Sequence, residues 1–311
     1  MDPQRLQNLS PERFATDFMA RNRPVVVTDA LDGWRLSERW TPDYLVEQFG
    51  DERVQVYNSY FDLKTVKKLG AYVRERFNRA DGRPNPPYVR WYTKLRNVDF
   101  FWADAAFEKM RGYWSRPYFL PAGDYVLPYA PAPEAADPTV DYFPARGLFI
   151  SERGARTGLH VDPWGSDAVL CQLYGRKSWR LYSPDQAPLL SSGDAVADLE
   201  CIDTERFPRA AEARPTYEFV LEPGETVYVP HGWYHAVHSD TDCISLTWNF
   251  VHRTNAAAFA QWLERPHSKI DEDVVRFFFS RALGADASIQ GVRGLVAKTF
   301  SCAPETASAA L

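Results

Sequence analysis

Apolar and polar residues alternate at every step of Ile244-Ser245-Leu246-Thr247-Trp248-Asn249-Phe250, which predicts a strand with Ser245, Thr247 and Asn249 on one face. Shorter apolar runs, each ended by Gly, Pro or Ser, predict further strands over Leu148-Phe149-Ile150, Ala168 to Leu173, Ser178 to Tyr182 and Thr226 to Val229. Strands this short and this closely spaced indicate a sandwich or a barrel. In an open sheet the polar face of the 244–250 strand would meet solvent; in a barrel enclosing a polar site it would turn inward.

The flanks follow a different period. Ser10-Pro11-Glu12 and Thr41-Pro42-Asp43 each set a capping oxygen, a proline and an acid where a helix begins, and Gly50 closes the second helix. Between them Pro24 to Thr28 reads as a strand, so this part is mixed α/β. Aromatic residues crowd the stretch from Tyr88 to Phe119, suited either to fill core or to wall a cleft. The Pro- and Ala-rich run from Pro128 to Pro138 reads as a loop. After Val251 helical signals return: Thr254-Asn255 would cap a helix over Ala256 to Arg265, and Asp271-Glu272-Asp273 opens an apolar segment with Phe277, Phe278 and Phe279 that Gly284 ends. These phenylalanines would pack on the barrel or bury a homodimer interface. The expected organisation is an N-terminal α/β part over 1–120, a barrel over 121–252 and a helical region over 253–311.

Composition narrows the partners. A chain of 311 residues that is 45% hydrophobic can bury a substantial core. The formal charge of −5 provides no basic field for phosphate backbones, which disfavours nucleic acid. No run approaches a membrane span and the opening Met1-Asp2-Pro3-Gln4-Arg5 is too polar for a secretory signal, so a cytoplasmic protein without membrane contact is expected. Cys171, Cys201, Cys243 and Cys302 stand far apart, as reduced thiols would.

His160-Val161-Asp162 is the most specific chemical signal. Alternate residues of a strand point the same way, so His160 and Asp162 can reach one ion. A second element, Pro223-Gly224-Glu225 through Pro230-His231-Gly232-Trp233-Tyr234-His235, runs turn, strand, turn and so delivers a histidine to a site. His231, His235 and His238 compete for that place, and the pattern favours His235; His252 and His267 lack such a context. Two imidazoles and a carboxylate hold non-haem Fe(II) by one face and leave the other open.

Thr157-Gly158-Leu159-His160-Val161-Asp162-Pro163, Tyr174-Gly175-Arg176-Lys177-Ser178-Trp179, the Pro223 to His235 element and Thr247-Trp248-Asn249-Phe250 together resemble the Jumonji-C oxygenases of the cupin superfamily, closest to the hydroxylase branch. The resemblance implies an α+β protein with a double-stranded β-helix (cupin or jelly-roll) core, and Fe(II), 2-oxoglutarate and O2 as reactants. It implies His160, Asp162 and His235 as metal ligands, Lys177 with Thr157 and Thr247 around the distal carboxylate of 2-oxoglutarate, and Asn249 beside the metal. The implied reaction hydroxylates a protein or peptide side chain or a small molecule. N-methyl-lysine demethylation, a metal cupin without 2-oxoglutarate and a non-catalytic cupin module are the alternatives. One departure stands out: where lysyl hydroxylases carry an asparagine this chain has Leu170, and with a gap Ser166 or Ala168, none of them an amide. Arg90, Lys94, Arg96 and Arg146 are cations suited to an anionic substrate, without an assigned role.

Overall fold

The computed structural model describes residues 1–79, 84–92, 101–127, 146–267, 272, 275–276, 278–279, 282–284 and 287–300. Its strands are β1 (Gln4–Leu6), β2 (Val25–Val27), β3 (Arg53–Tyr57), β4 (Leu63–Lys68), β5 (Tyr88–Tyr92), β6 (Tyr125–Leu127), β7 (Arg146–Ser151), β8 (Arg156–His160), β9 (Asp167–Tyr174), β10 (Lys177–Tyr182), β11 (Ser191–Ser192), β12 (Ala195–Val196), β13 (Tyr217–Leu221), β14 (Thr226–Val229), β15 (Tyr234–Ser239) and β16 (Cys243–His252). They form a large sheet ordered β1-β2-β14-β9-β16-β7-β5-β3-β4, with β6 beside β16, and a small sheet ordered β13-β10-β15-β8. From β7 to β10 and from β13 to β16 the chain passes between the two sheets, which is the double-stranded β-helix the sequence implies.

Burial explains which strands are central. Every residue of β9 but its last, and every residue of β16 but Asn249, is buried, because the large sheet is covered on both faces. Its outer face packs Val169, Cys171, Trp248 and Phe250 against the N-terminal Phe14, Phe18, Trp34 and Trp40. Its inner face sets Ala168, Leu170 and Val229 against Trp179, Leu181 and Phe219 of the small sheet. The register is fixed accordingly, since a one-residue slip of β16 would push the Trp248 indole into the interior and Thr247 outward.

The helices begin where capping predicts. Ser10 and Thr41 side chains accept from the backbone N–H groups of Arg13 and Tyr44. Asn255 departs from expectation: its side chain accepts no backbone N–H of the Ala256–Leu263 helix, and its NH2 group instead donates to the buried carboxylate of Asp167. Trp91, Trp114 and Phe119 of the aromatic stretch fill core and do not wall a cleft. Phe278 and Phe279 are buried with Trp164, Phe259 and Val292, packed on the barrel. Phe277, Asp271, Asp273 and the 128–138 run lie outside the described residues. Among the described residues no helix is long and apolar enough to cross a membrane.

Candidate functional site

A cavity of about 410 Å³ opens between the two sheets, and the three predicted ligands gather in its wall. The ligand atoms of His160, Asp162 and His235 all lie within 4.8 Å of one another. Strand pairing brings the imidazoles together: His160, the last residue of β8, stands directly opposite His235 of β15, with ring centres 4.1 Å apart. Each Nδ1–H donates to a backbone carbonyl two residues back, His160 to Gly158 at 2.9 Å and His235 to Trp233 at 3.2 Å. These bonds fix the tautomer and leave both Nε2 lone pairs for a cation. Burial, and then the neighbouring His235, hold the His160 imidazole well below the usual histidine range, so it is neutral and able to ligate.

The strand predicted to run through Asp162 ends at His160. Asp162 keeps an extended backbone (φ −62°, ψ 145°) because Pro163 follows and opens a short turn. Its Oδ2 lies 3.8 Å from His235 Nε2 and is buried without a hydrogen-bond partner among the described residues. An unanswered buried carboxylate oxygen beside two free imidazole lone pairs is a donor set that fits a divalent cation such as Fe(II).

The expected co-substrate residues lie in the same cavity. Thr157 and His160 are three apart on a strand and would ordinarily face opposite ways. A bulge resolves this: His235 pairs with His160 but Val237 pairs with Thr157, so one extra residue is absorbed and both side chains line the cavity. The Thr157 hydroxyl is 3.0 Å from that of Tyr88. Lys177 opens β10 after a turn at Gly175 (φ +70°), where a Cβ would meet the Asp242 carbonyl oxygen at 1.9 Å, so only glycine fits. Buried Gln172 donates to the Tyr174 and Gly175 carbonyls at 2.8 Å and accepts from Ser245, which pins that turn. Among the described residues no carboxylate pairs with the buried Lys177 ammonium, and burial pushes its pKa down to about 8. Thr247 donates to the Val169 carbonyl at 3.1 Å, and Asn249 donates to Ser166 at 3.2 Å.

The other candidates separate cleanly. Leu170 and Ala168 line the cavity as apolar wall, and Ser166 serves Asn249. His231 bonds Asp167, His238 bonds Asp240 on the other side of the small sheet, His252 packs on Tyr125 and His267 on Trp262. Lys94 and Arg96 lie outside the described residues, while Arg146 is placed only as the start of β7. Sequence reasoning missed Phe61 and Trp164 and left Arg90 unassigned, yet all three line the cavity. Phe61 (φ 66°) and Trp164 (φ 62°) both hold left-handed backbones, a costly conformation for an aromatic residue that no local pattern announces. For Arg90 a signal existed: in Tyr88-Val89-Arg90-Trp91, Arg90 shares a strand face with Tyr88 while Val89 and Trp91 take the core side.

Comparison with known proteins places this geometry. Residues 11–256 match the family model described as cupin-like domain. The 2-oxoglutarate and iron-dependent oxygenase JMJD4 of Gallus gallus is 26% identical over 87% of this chain and 64% of its own length. The lysine-specific demethylase JMJ21 of Arabidopsis thaliana is 26% identical over 81% of this chain and 26% of its own length. The tRNA wybutosine-synthesizing protein 5 of Gallus gallus is 26% identical over 78% of this chain and 74% of its own length. The chain therefore spans from about a quarter to under two thirds of the length of the first of these relatives.

Proposed function

This chain belongs to the cupin-like domain family, and from that premise we propose that it is an Fe(II)- and 2-oxoglutarate-dependent hydroxylase. The observation that carries the reading is a pair of unanswered charges in one cavity: the Asp162 oxygen beside two imidazoles, and the buried Lys177 ammonium. A divalent cation answers the first. A dicarboxylate bound to that cation by one end and to Lys177 by the other answers the second.

Each residue then has a defined task. His160 and His235 present Nε2, held in orientation by the Gly158 and Trp233 carbonyls, and Asp162 contributes the charge. Lys177, with the Thr157 and Thr247 hydroxyls, would receive the distal carboxylate of 2-oxoglutarate. Trp179, stacked on His235 at 5.9 Å, and Leu170 keep water from that end of the cavity. When bound, Fe(II) with 2-oxoglutarate and O2 supplies the oxidation that places one oxygen atom in a substrate C–H bond and the other in succinate, with release of CO2.

The expected result is slow succinate release by purified protein given Fe(II), ascorbate and 2-oxoglutarate, abolished by Asp162→Ala. Metal-replete protein that neither turns over nor binds 2-oxoglutarate would refute the reading. N-methyl demethylation, the activity in the name of the JMJ21 relative, is the same oxidation at an N-methyl carbon, and formaldehyde release from methylated peptides would identify it.

A further inference from the structure

β8 closes one side of the small sheet, and among the described residues no strand pairs with its outer edge. A turn from the N-terminal part takes that place. The Gly158 N–H donates to the Ser59 carbonyl at 3.1 Å, and a Cβ on residue 158 would meet that oxygen at 3.2 Å, so the bare glycine permits the approach. The contact falls on the bulged stretch between Thr157 and His160, where the ladder to β15 slips and the backbone is left to other partners. Gly158 is also the residue whose carbonyl accepts the His160 Nδ1–H at 2.9 Å. The same turn meets His160 a second time, since the Phe61 ring stands across the imidazole at 68°, with ring centres 4.9 Å apart.

One side chain holds this turn in shape. The Asn58 amide oxygen accepts the backbone N–H groups of Tyr60 at 3.0 Å and Asp62 at 2.9 Å, and its NH2 group donates to the Asp62 carboxylate at 3.0 Å. Those bonds bracket Phe61, whose left-handed backbone (φ 66°) costs free energy and persists only where its surroundings impose it. Two more bonds fasten the turn to other parts of the chain: the Asn85 amide donates to the Ser59 hydroxyl at 2.9 Å, and the Tyr60 hydroxyl donates to Asp198 at 2.5 Å. Asn58 itself does not line the cavity. We infer that the Asn58–Asp62 turn supports the metal site from outside the barrel, with Asn58 as a positioning residue that sets Gly158 and, through it, His160 and Thr157.

This inference rests on the metal and 2-oxoglutarate sites of the proposed function, and it is tested without turnover. Dissociation constants of Mn(II), and of 2-oxoglutarate in Mn(II)-loaded protein, are measured without O2 in the unmodified chain and in variants. Asn58→Ala should weaken Mn(II) binding about tenfold or more, as loss of an outer partner of a metal ligand does. Through Thr157 it should also weaken 2-oxoglutarate about threefold. Asn58→Asp keeps an acceptor for both N–H groups and should recover most of the Mn(II) affinity. An Asp variant as weak as the Ala variant takes the effect away from those hydrogen bonds and overturns the role of Asn58. Ser10→Ala removes a helix cap outside the cavity wall and should leave both constants unchanged; an equal loss there is general loosening and overturns the inference. Gly158→Ala presses on the same contact from the barrel side, and it decides the matter if the Asn58 variants fold poorly. It should weaken Mn(II) about tenfold, whereas affinity within about twofold of the unmodified chain overturns the inference. Unmodified protein that binds neither Mn(II) nor 2-oxoglutarate overturns the proposed function itself.

Discussion

Two aspartate–histidine meetings are built from the same two stretches of chain and finished differently. Asp162 and His235 approach to 3.8 Å, and among the described residues Oδ2 of Asp162 has no hydrogen-bond partner. A few residues after Asp162 lies Asp167, and a few before His235 lies His231. The Asp167 carboxylate accepts from the His231 backbone N–H at 2.9 Å, from its ring Nδ1 at 3.2 Å and from the Asn255 amide. Asp167 is fully buried and fully answered by its own chain. Buried polar groups that serve architecture recruit their donors internally, so the carboxylate left short of donors is the one built for a guest.

The sharpest way to break this comparison is to remove each carboxylate in turn. Asp162→Ala should weaken Mn(II) or Fe(II) binding by more than about 100-fold in anaerobic titration, a loss beyond that of outer partners alone. Its metal-free thermal midpoint should hold or rise slightly, because a buried charge is gone. Asp167→Ala should do the reverse, costing about 3 kcal/mol in urea unfolding as the His231 and Asn255 donors lose their acceptor. An Asp162 variant that unfolds, or an Asp167 variant of undiminished stability, would dissolve the distinction.

Lys177 belongs with Asp162, as a second charge without a partner among the described residues. Lys177→Met should weaken 2-oxoglutarate binding by about 10- to 100-fold in calorimetry while leaving metal affinity in place. The pH dependence sharpens the point. With a pKa of about 8 in the folded protein, Lys177 binds an anion best below that pH, so 2-oxoglutarate affinity should fall as pH rises above 8, and Lys177→Met should flatten the decline. The stability of ligand-free protein should move the other way. The unfolded lysine, near the ordinary 10.5, binds its proton more tightly than the folded one, so the cost of burying the cation is full below pH 8 and disappears as pH climbs towards 10.5. The smallest effect is expected of Thr247→Val, which removes one hydroxyl and should cost about 1 kcal/mol, a several-fold rise in the dissociation constant of 2-oxoglutarate.

Strands whose two faces differ in chemistry were readable. The sequence bounds Thr226 to Val229 to the residue, and the alternation of Ile244 to Phe250 puts Thr247 and Asn249 on one face, which the barrel turns to the cavity. What escaped depends on partners distant in sequence. β8 carries Arg, Thr, Gly, Leu and His, a pattern without a period, so its end at His160, short of Asp162, is not marked in the sequence and is seen only in its pairing with β15. Asn255 has the chemistry of a cap, but Asp167, far off in the chain, takes its NH2 as a donor, and its oxygen caps no helix N–H. The bulge that turns Thr157 inward belongs to the β8–β15 pairing and to neither strand alone.

Trp164 ties the cavity to a remote part of the chain. Its indole lines the cavity, and its ring centre lies 6.2 Å from that of Phe278 within the cluster formed by the C-terminal helical segments. One wall of the pocket is thus backed by side chains, among them Phe278, Val292 and Val296, that do not themselves line the cavity. Exchange of Phe278, Val292 or Val296 offers a route by which the shape of this pocket can drift while the metal ligands and Lys177 stay unchanged.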